Sequence, residues 1–239
     1  MGSESDMFRS TTAAIVAFMS LVVPAGAEDN PVVVELFTSQ GCSSCPPADA
    51  LMHELAGRDD VIALALHVDY WDYIGWKDLF ADPAHTLRQK AYAREGGRTM
   101  IYTPQMIVNG QDDIAGADGL ALMDLIDAHR SEAAEVSLRA DRAGGQIGVE
   151  VRPLDLPHGD SYDVQVVQYS PLRHAEIKRG ELAGRKLDYA NVVESWQVLG
   201  QWNGAEAQTY SATLKSDLPA VILVQRAGQG PIIAAARAE

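Results

Sequence analysis

The chain has 239 residues, 47% of them hydrophobic, and a formal net charge of −14 at neutral pH. An acidic balance of that size excludes nucleic acid and anionic membrane surfaces as electrostatic partners, since both need a cationic footprint. The apolar fraction is ordinary for a globular protein, so a buried core is expected.

Residues 13–23 form an apolar run after Arg9, and Ala25-Gly26-Ala27 precedes Glu28. A basic flank, a short apolar stretch and a small-residue cleavage site make the pattern of a secretory signal peptide. As a helix the run would rise only ~16 Å against a hydrocarbon core of ~30 Å, which is too short to span a membrane. Glu4 and Asp6 interrupt the basic end upstream of Arg9, so Met7 is the expected start of the signal. No cysteine follows the run to take a lipid anchor, and no Arg-Arg pair points to the twin-arginine route. The expectation is a signal peptide over residues 1–27 and a periplasmic or secreted chain from residue 28. Disulfides persist in that compartment.

From Pro31 to about Arg130, strand-like and helix-like segments alternate. Val32-Val33-Val34 with Leu36-Phe37 reads as a strand buried on both faces. Leu51, Met52 and Leu55 mark a helix over 48–57, and residues 61–68 form a second buried strand. A helix over 83–95 ends at Gly96-Gly97. Residues 106–108 enter an Asn109-Gly110 turn, the strongest short hairpin signal, with residues 111–114 as the partner strand. Leu122, Leu125 and Ile126 put an amphipathic helix over 118–130. Beyond Ala134 the helical period disappears. Short β-prone runs over 146–152, 162–169, 191–202, 208–214, 220–226 and 232–237 predict an antiparallel, sandwich-like β domain. The expected division is an α/β domain over 28–134 and an all-β domain over 135–239.

Cys42 and Cys45 are the only cysteines, and they stand as Cys-x-x-Cys between the first strand and the first helix. In thiol–disulfide exchange one thiolate attacks a disulfide and a neighbouring thiol resolves the mixed disulfide. Cys42 is the candidate nucleophile and, as the outer thiol, the one expected to be more exposed and acidic; Cys45 is the candidate resolving thiol. Two other readings compete. A permanent disulfide would gain little from closing so short a loop, and two thiolates could instead hold a soft metal such as Cu(I).

The element order β-α-β-α-β-β-α and the strand–CxxC–helix layout resemble a thioredoxin-like domain over residues 31–130. That resemblance implies that Pro104, in Tyr102-Thr-Pro-Gln105, follows a cis peptide bond and faces the cysteines. It further implies that the Thr103 backbone meets an incoming peptide. It also implies a buried acid near the inner thiol, for which Glu35, flanked by Val34 and Leu36, is the candidate proton shuttle. Ser43-Ser44 brings no full positive charge to the sulfurs, and Gly41 stands where the family usually has an aromatic residue. Pro46 and Pro47 lack N–H groups, so a late helix start with fewer amide donors for the Cys42 sulfur is expected.

The loop over 70–80 holds five of the chain's sixteen aromatic residues, enough to form either a rim that grips substrate or a packing surface for the second domain. Packing is the expectation. His67, Asp69 and Asp72 are a weaker metal-ligand alternative. The chain from residue 28 onward is also similar to a secreted bacterial family, domain of unknown function 1223. That likeness rests on Glu35 to Asp49, His67 to Asp72, Tyr102 to Gln105, Arg179 to Arg185 and Asn191 to Val193. The reading is an exported thiol–disulfide oxidoreductase without cofactor or metal. Its partners would be thiols and disulfides of exported proteins and a redox partner of unknown identity. The alternative is a non-enzymatic binding or copper-carrying module on the same scaffold.

Overall fold

The computed structural model describes residues 30–156 and 159–238. The expected signal peptide therefore lies outside the described residues. Val32–Thr38 (β1) and Val61–His67 (β2) are buried at every position and pair in parallel along their whole length. Pro46–Ala56 (α1) connects them, burying Ala48, Asp49, Met52 and Leu55. Pro83–Glu95 (α2) is capped by Asp82, whose side chain accepts from the Ala84 N–H.

Gln105–Val108 (β3) runs antiparallel to β1 and pairs with Asp112–Ala115 (β4). The hairpin turns on Asn109 and Gly110, both at positive φ (44° and 68°), as a two-residue Asn-Gly loop requires. Gly119–Arg130 (α3) follows, with Asp118 as its cap.

The rest of the described chain is β structure: Val136–Ala143 (β5), Gln146–Pro153 (β6), Tyr162–Glu176 (β7), Lys186–Trp202 (β8), Gln208–Thr213 (β9), Ala220–Arg226 (β10) and Ile232–Arg237 (β11). β5, β6 and β9 form a separate antiparallel sheet. All other strands join one mixed sheet in the order β11-β10-β7-β8-β2-β1-β3-β4. Position 135 falls between α3 and β5, and strands from both sides of it share this sheet. The seam is the pairing of Ala65 with Val192, reinforced by the Asn191 side chain, which donates to the Ala63 carbonyl at 2.9 Å.

Three apolar cores follow from strand alternation. Val32, Val34 and Leu36 face α1 and α3, meeting Met52, Leu55, Leu122 and Ile126. Val33 and Phe37 point the other way, to Tyr92 of α2 and to Val221, Leu223 and Ala235 of β10 and β11. Strands at opposite ends of the sheet order thus share one core, so the sheet folds over onto itself. The Ile232 N–H closes this fold by donating to the Asn109 carbonyl at 2.7 Å. Ala220, Ile222 and Val224, on the second face of β10, pack with Val149 and Val151 of the small sheet. β10 is buried on both faces, which is why its sequence is a continuous apolar run.

Candidate functional site

β1 ends at Thr38, and residues 39–41 carry the chain to Cys42. Cys42 and Cys45 are joined as a disulfide. Cys45 is the N-cap of α1, and Pro46 and Pro47 occupy its first turn. The late helix start expected from the sequence is therefore corrected: the helix begins at Pro46. A first-turn residue has no intrahelical acceptor for its N–H, so proline costs nothing there. The amide donors are nevertheless few. The first two helical residues have no N–H, and the N–H groups of Ala48 and Asp49 are taken by the Cys45 carbonyl. The Ser44 hydroxyl lies 3.4 Å from the Cys42 sulfur.

Both cysteines are buried, at 1% and 0% exposure, while Ser43 and Ser44 are exposed. An exposed outer thiol was expected and is not found; the aromatic loop packs against the residues just before Cys42. A Cβ on Gly41 would stand 2.9 Å from the Trp71 Cβ and 3.1 Å from the Ile74 Cδ1, so only glycine lets this loop close down. The Trp76 indole N–H donates to the Gln40 Oε1 at 2.9 Å, and the Gln40 N–H donates to the Asp78 carboxylate at 2.8 Å. The Trp71 indole N–H donates to the Thr103 Oγ1 at 2.7 Å. The Thr103–Pro104 bond is cis, as the sequence reading expected. Trp71 thus bridges the cysteine loop and the cis-proline segment.

The same aromatic loop packs on the second half of the chain. Ile74 and Trp76 approach Gly180, and the Arg173 guanidinium sits 4.5 Å over the Phe80 ring. Tyr73 and Leu79 remain 80% and 72% exposed on its outer side, so packing and an open apolar rim coexist.

Glu35 is not beside the sulfurs' helix. It shares the face of β1 with Val33 and Phe37, opposite the face that meets α1. The Arg88 Nε donates to it at 2.6 Å, and the Tyr92 hydroxyl donates at 2.5 Å. Arg88 stacks 3.9 Å from the Trp196 ring centroid and also donates to Gln225. The proton-shuttle reading of Glu35 is corrected accordingly. In a strand, one residue of register decides the face, and Leu36 rather than Glu35 looks toward α1.

The acid on the α1 side is Asp49, one helical turn after Cys45 and 6% exposed. Its Oδ1 accepts from the Thr38 hydroxyl at 2.7 Å. Burial pushes its carboxyl up to about 6, against the opposing pull of His67 and Thr38. Nearby, His67 Nδ1 lies 2.7 Å from the Asp78 Oδ2. Burial drives the Asp78 carboxyl upward, but the His67 charge and hydrogen bonds from His67, Gln40 and Phe80 outweigh it and hold the group below its ordinary value. Phe80 and Tyr189 enclose the His67 ring, with centroids at 5.3 and 4.7 Å.

The metal alternative does not assemble. His67 is bound to Asp78, Asp69 accepts from Thr86, and Asp72 accepts from the Asp78 N–H. Among the described residues no group of three His, Cys, Asp or Glu side chains could hold a metal ion.

A family model described as a protein of unknown function, DUF1223, matches residues 33–225. The chain belongs to this family. The match runs through both the cysteine half and the β-rich half, so the DUF1223 unit is the joined architecture rather than either part. The crystal structure of protein AGR_C_4864 from Agrobacterium tumefaciens is similar at 32% identity and a TM-score of 0.75, covering 89% of this chain and 96% of that one. HBP35 of Porphyromonas gingivalis is similar in fold, with 15% identity and a TM-score of 0.62 over 87% of this chain and 74% of that one. No curated protein matches the chain.

Proposed function

We propose that this DUF1223 protein is an exported thiol–disulfide oxidoreductase acting through Cys42 and Cys45. Residues 28–134 serve as a thioredoxin-like domain and residues 135–239 as a β-rich domain that selects the client or electron partner. The observation that carries the reading is the Cys42–Cys45 disulfide at the cap of α1, tied through Trp71 to the cis Thr103–Pro104 segment. In the reduced protein the Cys42 thiolate attacks a client disulfide and expels one client thiolate. Cys45 then attacks the Cys42 sulfur of the mixed disulfide, releases the second client thiolate and restores the pair. The client gains two electrons and the pair loses two. Exchange in either direction requires the buried sulfurs to become accessible. Export through residues 1–27 supplies the oxidising compartment, and the clients are other exported proteins.

Burial of both sulfurs favours a second reading, a binding module whose disulfide stays closed. A Cys45→Ala variant separates the two. The enzyme reading expects mixed disulfides between Cys42 and exported proteins, detected on non-reducing gels and lost on reduction. If no adducts form, and the wild-type protein neither reduces insulin nor equilibrates with glutathione, the binding reading stands.

A further inference from the structure

α2 and the β7–β8 ladder leave a cleft of about 330 Å³ between them. His85, Leu87 and Arg88 line it from the helix, Asp163 from β7, and Trp196 and Val198 from β8. Ligand pockets span roughly 300–1,000 Å³, so this one suits a single side chain with its flanking amides rather than a large cofactor. The rim is apolar, with Leu87 64% and Val198 53% exposed. The floor is polar and fixed. Trp196 gives its indole N–H to Gln165, and the Arg88 guanidinium lies 3.9 Å from its ring centroid.

Two buried side chains bring unspent hydrogen-bonding capacity to this cleft. Arg88, its side chain 9% exposed, gives its Nε and Nη2 N–H groups to Glu35, Tyr92 and Gln225. A guanidinium has five donors, and the two on Nη1 make no hydrogen bond among the described residues. His85, 6% exposed, donates its Nδ1–H to the His67 carbonyl at 2.9 Å, which leaves Nε2 as an acceptor without a partner. Burial holds this imidazole below its ordinary pKa, so the ring is neutral at pH 7. The two residues are three apart on α2 and share a face. A donor and an acceptor side by side are the complement of an amide, whose carbonyl accepts and whose N–H donates. An anion is disfavoured. Glu35 already neutralises Arg88 through two hydrogen bonds, and Asp163 adds a carboxylate to the wall.

We propose that this cleft binds an extended polypeptide segment at one aliphatic residue. A backbone carbonyl of the segment accepts from Arg88 Nη1, a backbone N–H donates to His85 Nε2, and the aliphatic side chain seats against Leu87, Val198 and Trp196. An apolar rim around a polar floor lets the bound chain continue past the anchored residue over exposed hydrophobic surface. Arg88 and Trp196 are already fixed by their own contacts, so binding orders little of the protein and loses little entropy there. The site involves no covalent step and stands whether or not the cysteine pair exchanges.

The test titrates N-acetyl-L-leucinamide into the full chain and follows indole N–H and imidazole resonances by NMR. The Trp196 and His85 signals should shift saturably, while Trp202, buried in another core, stays unmoved. A dissociation constant on the order of 1 mM is expected for a ligand of about a dozen non-hydrogen atoms. Acetyl-Ala-Leu-Ala-amide should bind at least as tightly; weaker binding would mean a small-amide site and overturn the polypeptide occupant. 4-Methylpentanoate, with the same aliphatic group on a carboxylate, should bind about tenfold more weakly or worse. Equal or tighter binding of that anion would overturn the proposal. His85→Phe keeps a ring but removes the acceptor, and should weaken N-acetyl-L-leucinamide about tenfold. Should that variant fail to fold, Val198→Ser, at the exposed rim, should weaken it by about threefold or more. Unchanged affinity in a folded variant, or no saturable shift in the wild type, overturns the proposal.

Discussion

The two faces of β1 each carry a buried acid, and the acids have opposite surroundings. On the α2 face, Glu35 is saturated: Arg88 grips both its oxygens, Tyr92 donates to one of them, and Arg88 is in turn stacked on Trp196. On the α1 face, Asp49 has one hydrogen bond from Thr38 and one oxygen with no partner among the described residues. A saturated buried ion pair holds parts together, here α2 to β1 and, through Gln225, to β10. An undersaturated buried acid instead has a raised carboxyl pKa and titrates in the folded protein. The side chain's environment, not its identity as a buried carboxylate, separates the two roles.

The sharpest way to break this comparison is Arg88→Ala. Removing one partner of a buried pair leaves an uncompensated charge, so a loss of about 3–5 kcal/mol in denaturant unfolding is expected. The exchange chemistry of the surviving folded protein should be unaltered. A stable variant with altered thiol exchange would return the proton-transfer role to Glu35.

Asp49→Asn should act in the opposite direction on the oxidised protein. The folded state raises the Asp49 carboxyl from 3.8 to about 6, so between those values the folded state holds the proton more tightly than the unfolded chain. That stabilisation is full below about pH 4 and is lost as pH rises through 6. The variant, having no proton to lose, should be more stable than the wild type by on the order of 2–3 kcal/mol at pH 7.5. The gain should vanish near pH 4. Equal differences at both pH values would show that Asp49 does not titrate in this range.

Gly41→Ala should have the smallest effect on stability, about 1–2 kcal/mol, because its Cβ meets Trp71 and Ile74 at short range. The loop must shift to admit it, and dithiothreitol should then reduce the disulfide faster than in the wild type. An unchanged reduction rate would mean that the loop over 70–80 is not what shields the sulfurs.

Much of the first half was legible because its signals are local. Continuous apolar runs marked β1 and β2, the Asn109-Gly110 pair marked the hairpin, and the i, i+3, i+4 stripe marked α3. The Cys-x-x-Cys was readable from residue identity and spacing, whereas the cis Thr103–Pro104 bond was expected only through the resemblance to thioredoxin-like domains. β5 was missed because Arg139, Asp141 and Arg142 interrupt its apolar alternation on an edge strand of the small sheet. Asp49 carried a usable signal that was passed over. It lies on the same helical face as Met52, three residues on, and so at a buried position. Asp78 had no such signal, since its role depends on a loop that returns to the end of β1.

The sequence by itself determined most elements of the cysteine half and the single sulfur pair, because those depend on residues close together along the chain. Only the tertiary structure decided that β2 and β8 join one sheet, that Cys42 is buried, and that Asp49 rather than Glu35 lies on the α1 side of β1. Those outcomes turn on long-range packing and on strand register, where a shift of one residue carries a side chain from one core to the other.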